Sequence, residues 1–471
     1  MPENSWSEND AGSEIDPISS LLSELSDDDF KSDFFLHGQE GRRRKAALTL
    51  TLIWGGTITL HLVSWGSWFV WGLMTILMIH VFRLFRARPL STPEPLCDEE
   101  QANFPEVSLL VAAKNEETVI QNLVEMLCNL DYPKDKYELW VIDDHSTDQT
   151  PVLLDQLATK YEQLKVLHRA ADAGGGKSGA LNQVLPLTKG EVVGVFDADA
   201  HVPKDLLKRV LPLFEQESIG AVQVRKAIAN SSLNFWTKGQ MAEMALDGFI
   251  QEQRIALGGV GELRGNGQFV RRTALEQCGN WNEQTITDDL DLTLRLHLNN
   301  WKIHFLRYPP VEEEGVTSAL SLWHQRSRWA EGGYQRYLDY WRLIANHRLG
   351  IGKALDLFGF LFIQYLLPAA MVPDLLMAIA RNRLPILTPF TGLSLTFPLI
   401  GMFLGLRRTR IDKRLTFSQL LVIFWQTLRG NFYLIHWFLV MASTTARMSV
   451  RPKRLKWVKT VHQGTQVLNR G

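Results

Sequence analysis

Apolar and polar positions divide the chain into blocks. An apolar run at 46–79 carries His61 as its one ionisable side chain, and further apolar runs return at about 354–380, 385–406 and 417–442. A membrane-crossing helix needs about 20 such residues. The first run is therefore long enough for two helices folded as a hairpin that turns near 64–67, with Trp54, Trp65, Trp68 and Trp71 as interfacial anchors. Between the apolar blocks, short aliphatic and β-branched runs alternate with helix-compatible segments: VSLLVAA, ELWVIDD, KVLHR and GEVVGVF. That rhythm predicts an α/β domain with a parallel sheet.

Charge changes the picture at the two ends. The formal net charge is -1, yet every charged residue before Lys31 is acidic and every one from Arg447 onward is basic. Residues 1–41, rich in Ser, Asp and Glu, hold too little apolar surface to offset the entropy of folding and are expected to form a disordered acidic tail. The expected organisation continues with a transmembrane hairpin at 42–88, an α/β domain at 100–316, interfacial amphipathic helices at 317–348, transmembrane segments at 354–445 and a basic tail at 446–471. RRRK at 42–45, with Arg83, Arg86 and Arg88, predicts that both flanks of the hairpin are cytoplasmic, and the α/β domain with them. The first run is too long, and starts too far from Met1, for a cleaved signal peptide. A conflict arises near the other end. The loop RRTRIDKR at 407–414 and the basic tail should both be cytoplasmic, but a single span at 417–442 would separate them. Arg429, Gly430 and Asn431 interrupt that run, which leaves a broken or re-entrant segment as the alternative. Cys97, Cys128 and Cys278 are scattered and odd in number, as fits a reduced compartment without a disulfide framework.

Ligands of open α/β sheets bind beyond the C-terminal ends of the strands. Those ends present Lys114, Asn115 and Glu116 after the first run, Asp143 and Asp144 after the second, and Asp197 and Asp199 after the fourth. Two carboxylates one residue apart at such an edge suit Mg2+ or Mn2+ bridging a diphosphate. A solvated turn of capping aspartates is the other reading of the same pair. AGGGKSGALN offers flexible backbone and the Lys177 ammonium for phosphate contact, without the spacing of a P-loop; a mobile surface loop is the alternative. In ITDDLDLTLRL, Thr287 is placed to cap a helix whose first turn holds Asp288 and Asp289, where acids are stabilising in themselves. HQRSRWAEGG sets Gln325, Arg328 and Trp329 at i, i+3 and i+4 on one helical face. A guanidinium beside an indole suits a diphosphate and a sugar ring, although an interfacial helix explains Trp323, Trp329, Tyr334, Tyr337 and Trp341 equally well.

Taken in order, VSLLVAAKNEE, VIDDHSTD, GGGKSGALN, FDADA, ITDDLDL and QRSRW, followed by apolar helices, resemble the family 2 glycosyltransferases of the GT-A fold over about residues 105–345. The resemblance implies transfer of a sugar from a nucleotide donor, usually a UDP-sugar, with inversion at the anomeric carbon. It implies that Glu116 and Asp144 contact the nucleoside and Lys177 the diphosphate, and that Asp197 and Asp199 form the Mg2+ or Mn2+ motif, with Asp197 also on the donor side and Asp199 the more direct ligand. Asp289, preceded by Asp288, matches the general base. Gln325, Arg328 and Trp329 match the motif that binds the diphosphate and closes over the acceptor. Lys114 stands where an aromatic residue is common and Asp288 where Glu usually precedes the base, which leaves donor details open.

The whole arrangement, from acidic tail and hairpin to WVKTVHQG at 457–464, is similar more narrowly to the cyanobacterial members of that family that glucosylate diacylglycerol. That similarity implies UDP-glucose as donor, the free hydroxyl of 1,2-diacylglycerol as acceptor, a β-linked galactolipid precursor as product, and a plasma or thylakoid membrane as host. Gly265, Asn266 and Gly267 of GELRGNGQFVRR stand where relatives line the acceptor site, in a stretch that reads equally as a Gly-rich turn before a helix. Two rival functions stay open. QRSRW is shared with processive polysaccharide synthases of the cellulose and chitin kind, although the modest number of C-terminal spans favours a lipid reached in the membrane plane. A nucleotide-sugar sensor without turnover is the rival of another class, and the joint presence of Asp197, Asp199, Asp289 and Arg328 opposes it. No nucleic-acid partner is expected, and the sequence is silent on protein partners.

Overall fold

The computed structural model describes residues 41–97, 103–346, 348–410 and 415–450. The acidic stretch before residue 41, the loop residues 411–414 and the basic tail beyond 450 lie outside them. Helices α1 (Arg42–Leu62) and α2 (Gly66–Arg86) form the expected hairpin and turn at 63–65. Next come β1 (Val107–Ala113), α3 (Ile120–Leu127), β2 (Tyr137–Asp143), α4 (Thr150–Lys160), β3 (Leu164–His168), α5 (Gly176–Val184) and β4 (Val192–Phe196). The domain closes with α6 (Leu206–Val210), β5 (Ile219–Ile228), α7 (Phe235–Ala256), β6 (Gln268–Arg271), α8 (Arg272–Gln277), α9 (Asp288–Leu298) and β7 (Lys302–Glu313).

The seven strands lie in the order β3-β2-β1-β4-β6-β5-β7. The four strands expected from the aliphatic runs are present and parallel. Three more extend the sheet, and β6 runs antiparallel between β4 and β5. Strand β4 reads as an unbroken apolar run, and β1 as one interrupted only by Ser108, because helices cover both faces of the sheet. The reversal of β6 has a positional effect. Its first residue lies at the edge where β1 and β4 end, so the Gly-Asn-Gly turn before it is delivered there, with Gly267 N donating to Val195 O at 3.0 Å.

The interfacial helices expected at 317–348 are one 27-residue helix, α10 (Ala319–Ala345). Then follow α11 (Ile351–Leu361), a π-helical turn at Phe362–Leu366, α12 (Leu367–Ala380), α13 (Thr388–Arg408), α14 (Phe417–Leu434) and α15 (His436–Val450). Among the described residues, α2, the continuous Ile351–Ala380 and α13 are long and apolar enough to cross a membrane. The last apolar run is broken, at Ile435 rather than at 429–431. Its two halves pack apart, α14 on α7 and α13, α15 on α1 and α10.

A buried ionic network joins the α/β domain to these helices. Arg254 of α7 pairs with Asp356 of α11 at 2.9 Å and with Glu262 at 3.4 Å. Glu262 meets Arg264 at 2.6 Å and Arg336 of α10 at 3.0 Å, and Arg264 meets Asp247 at 2.7 Å. At the hairpin, Arg42 pairs with Asp339 of α10, and His61 Nε2 lies 2.6 Å from Asp374 Oδ1 of α12.

Candidate active site

Register aligns the candidate residues. Ala113 of β1 faces Asp143 of β2, and Val111 faces Phe196 of β4, so residues 114–116, 144 and 197–199 emerge along one edge. The loops there are tied together. Asn115 takes a left-handed backbone (φ 57) and its Oδ1 accepts from Thr147 N at 2.7 Å. Glu116 is buried, and its N–H donates to Thr150 Oγ1 at 2.8 Å. Asp144 accepts from Arg169 Nη1 at 2.5 Å and has Lys114 Nζ at 3.6 Å. Arg169, at the end of β3, also donates to the carbonyl oxygens of Gly174 at 2.5 Å and Gly176 at 3.3 Å. One guanidinium thus joins the nucleoside candidate to the glycine loop. The sequence reading missed it, although the last residue of KVLHR stands at a strand end like the residues it chose.

Lys177 Nζ donates to Asp197 Oδ1 at 2.5 Å. Asp199 Oδ2 accepts from Glu314 N at 3.0 Å, and His201 and Glu312 exchange backbone bonds of 2.8 and 3.1 Å, which pin the Asp-Ala-Asp loop to the end of β7. The turn Gly265, Asn266, Gly267 lies beside it. Asn266 is fully buried with its Oδ1 3.3 Å from Asp197 N, so it supports the loop from below. Gly265 has φ +78, and a Cβ there would lie 3.5 Å from Asp289 Oδ2. The turn therefore sits between Asp197 and Asp289.

Asp288 and Asp289 occupy the first turn of α9, as expected. Thr287 holds the N-cap position but makes no side-chain cap; its side chain lies against Gly332 of α10, where a Cβ would collide with it. This contact seats α10 on the start of α9. Burial and the neighbouring Asp288 charge push the Asp289 carboxyl up to about 6, against the lowering effects of Leu290 N–H, Arg264 and Lys177. Burial likewise raises Asp288, which Lys177 partly offsets. For Lys177 the balance runs the other way: burial opposes its charge, but Asp197, Asp288 and Asp289 hold the ammonium above its ordinary range.

Helix α10 carries Gln325, Arg328 and Trp329, all half-buried. Burial works against the Arg328 charge and Asp197 supports it. Lys226 of β5, unnoticed in the sequence, pairs with Glu313 at 2.6 Å and lies 5.4 Å from the Trp329 ring centroid. Burial disfavours its charge, but Glu313, Asp197 and Asp289 hold its ammonium above the ordinary range. Arg328 and Lys226 thus come near Asp197, and Trp329 lies beside Lys226, whereas the side-chain contact that fixes Gln325 is with Arg326.

The carboxylates fit a divalent cation shared with a ligand. Among the described residues no group of three or more His, Cys, Asp or Glu side chains forms a complete protein cage. Mg2+ is held by one or two carboxylates plus substrate phosphate oxygens rather than by such a cage. Asp197 already holds a cation, the Lys177 ammonium, which shows the sign of charge that the loop attracts.

The description "glycosyltransferase like family 2" belongs to a family model that matches residues 105–332. A β-monoglucosyldiacylglycerol synthase of Nostoc sp. is 60% identical over 470 residues, 99% of this chain and 100% of that one. Another, of Synechocystis sp., is 57% identical over 98% of this chain and 97% of its own length. Among solved structures, a mannosyltransferase of Pyrobaculum calidifontis in complex with GDP-Man and Mn2+ matches with a TM-score of 0.53 at 19% identity, over 78% of this chain and 99% of that one. At that identity the likeness is one of fold, and it bears out the GT-A architecture expected from the motifs.

Proposed function

The chain belongs to glycosyltransferase-like family 2 and, over nearly its whole length, to the β-monoglucosyldiacylglycerol synthases, and we propose that its cleft joins glucose from UDP-glucose to the free hydroxyl of 1,2-diacylglycerol. The activity is glucosyl transfer to diacylglycerol; the nucleotide and the residue roles are our reading. One observation carries that reading. Asp289, at the mouth of the Gly265 turn and with its carboxyl raised to about 6, is a base poised near neutral pH beside the loop that would hold the donor.

An acceptor hydroxyl is a poor nucleophile, so its proton must leave as the new bond forms. In this reading Asp289 Oδ2 takes that proton while the hydroxyl oxygen attacks the anomeric carbon from the face opposite the nucleotide; Oδ1 is engaged with Leu290 N–H. The bond from the anomeric carbon to the phosphate oxygen breaks, UDP departs with the electron pair, and the configuration inverts. Lys177 and Arg328, both near Asp197, neutralise the diphosphate. A divalent cation held by Asp197 and Asp199 would supply further charge neutralisation at the leaving group. Glu116, and Asp144 as oriented by Arg169, contact the nucleoside. Gln325 and Trp329 close over the acceptor side, with Gly265 leaving room next to Asp289.

The same reading makes the protein multi-pass with a cytoplasmic catalytic domain. Membranes containing it, given labelled UDP-glucose, Mg2+ and diacylglycerol, should put label into an organic-soluble lipid that migrates as monoglucosyldiacylglycerol. Label in a high-mass insoluble polymer would overturn the acceptor.

A further inference from the structure

Trp329 is held from behind by a residue that the motif passes over. Arg326 is buried in α10 with its guanidinium 3.9 Å from the Trp329 ring centroid, and its Nη1 donates to Gln325 Oε1 at 2.9 Å. A single side chain thus orients two of the three motif residues. Arg326 is itself held, its Nη2 donating to Glu243 Oε2 at 2.6 Å. Glu243, on α7, also accepts from Tyr433 Oη at 2.9 Å and from Trp437 Nε1 at 2.7 Å. Tyr433 lies near the end of α14 and Trp437 near the start of α15, one on each side of the break at Ile435. Burial opposes the Glu243 charge, but Arg326 and these donors hold the carboxyl below its ordinary range. A desolvated guanidinium on an indole face binds more strongly than an exposed one, and a carboxylate with three donors is fixed in place.

We propose that Glu243 and Arg326 are positioning residues for Gln325 and Trp329, and that they anchor the acceptor side of the cleft to the break between α14 and α15. The inference rests on the reading of Trp329 as an acceptor-side group. Its physical content is that the membrane-facing helices and the closing motif hold one another in register, through side chains that touch no substrate.

Arg326→Lys tests it, because lysine keeps the charge that Glu243 needs but not the planar group that lies on the indole. In membranes containing the full-length protein, kcat for transfer to diacylglycerol should fall about tenfold and the diacylglycerol KM should rise, with the UDP-glucose KM within about twofold of wild type. Trp437→Phe, which removes one donor to Glu243 and keeps an aromatic ring, should shift the same constants in the same direction by less. If Arg326 acts through Trp329, adding Arg326→Lys to Trp329→Phe should cost no more than about a further twofold. Losses that multiply, wild-type constants in Arg326→Lys, or equal increases in both KM values would overturn the inference. Wild-type membranes that label no lipid would overturn the acceptor reading and the inference together, whereas a failure confined to the variants would spare that reading.

Discussion

As the proposed base, Asp289 would act only while ionised, so its raised pKa sets an acid limb. Transfer should fall about tenfold per pH unit below about 6, as a pH–rate profile would register. The same shift has a cost in stability. A carboxyl that binds its proton more tightly folded than unfolded loses stability as pH rises from the ordinary Asp value towards about 6. Asp289→Asn should therefore lower transfer by about 10²–10⁴-fold and yet melt higher than wild type at pH 8. That gain should vanish near pH 4, and equal melting temperatures at both pH values would refute it. Asp199→Ala should abolish metal-dependent transfer while the protein stays in the membrane; full activity would refute the metal assignment. The positions of Asp144, Asp197 and Asp289 were legible because two follow strand ends and one lies in the first turn of a helix, whereas Gln325, Arg328 and Trp329 were placed by helical spacing inside α10. Lys226 was not, because Glu313 reaches it only when β5 and β7 are laid side by side, and Arg169 was not, because its role depends on the β2–β3 register that sets it against Asp144.

Helices α9 and α10 meet where Gly332 admits the Thr287 side chain. A methyl group at Gly332 would force them apart, so Gly332→Ala should destabilise by about 1–3 kcal/mol, by calorimetry or denaturant melting. It should also lower transfer, since it moves Asp289 relative to Trp329. The periodicity of HQRSRWAEGG located α10 correctly, and the aliphatic runs located β1 to β4. The break in the last apolar run was legible in kind but not in place. Gly430 looked like the interruption, yet it lies inside α14, where its missing side chain lets the helix seat on Met402 and Ala242. A glycine that makes room and a glycine that ends a helix look alike until the neighbour is known. Strands β5 to β7 were missed because β6 is only four residues long and reverses direction, which breaks the βα rhythm.

We propose that α1 pairs with α2, and the continuous α11–α12 with α13, as two out-and-back excursions, with α14 and α15 adding no crossing; α2, Ile351–Ala380 and α13 are the described helices long and apolar enough to span. This arrangement removes the charge conflict, because both basic ends fall on the side of the catalytic domain. Impermeant thiol labelling of sealed vesicles checks it. Cys97 is exposed, whereas burial pushes the thiols of Cys128 and Cys278 up to about 12 and about 11 and leaves them unreactive. Added cysteines at Arg407 and Val450 should label from the same side as Cys97, and one at Leu384 from the other. Labelling of Val450→Cys from the Leu384 side would mean that the last run crosses. The pairing of Arg254 with Asp356 bears on how such a chain is made. The two residues are 102 positions apart, so at ordinary synthesis rates Arg254 leaves the ribosome about 5–20 s before Asp356. A bare carboxylate entering lipid costs several kcal/mol, and the reverse order would impose that cost. Translation in this direction gives α7 time to form first, so that the insertion of α11 completes an ion pair whose other half is already in place.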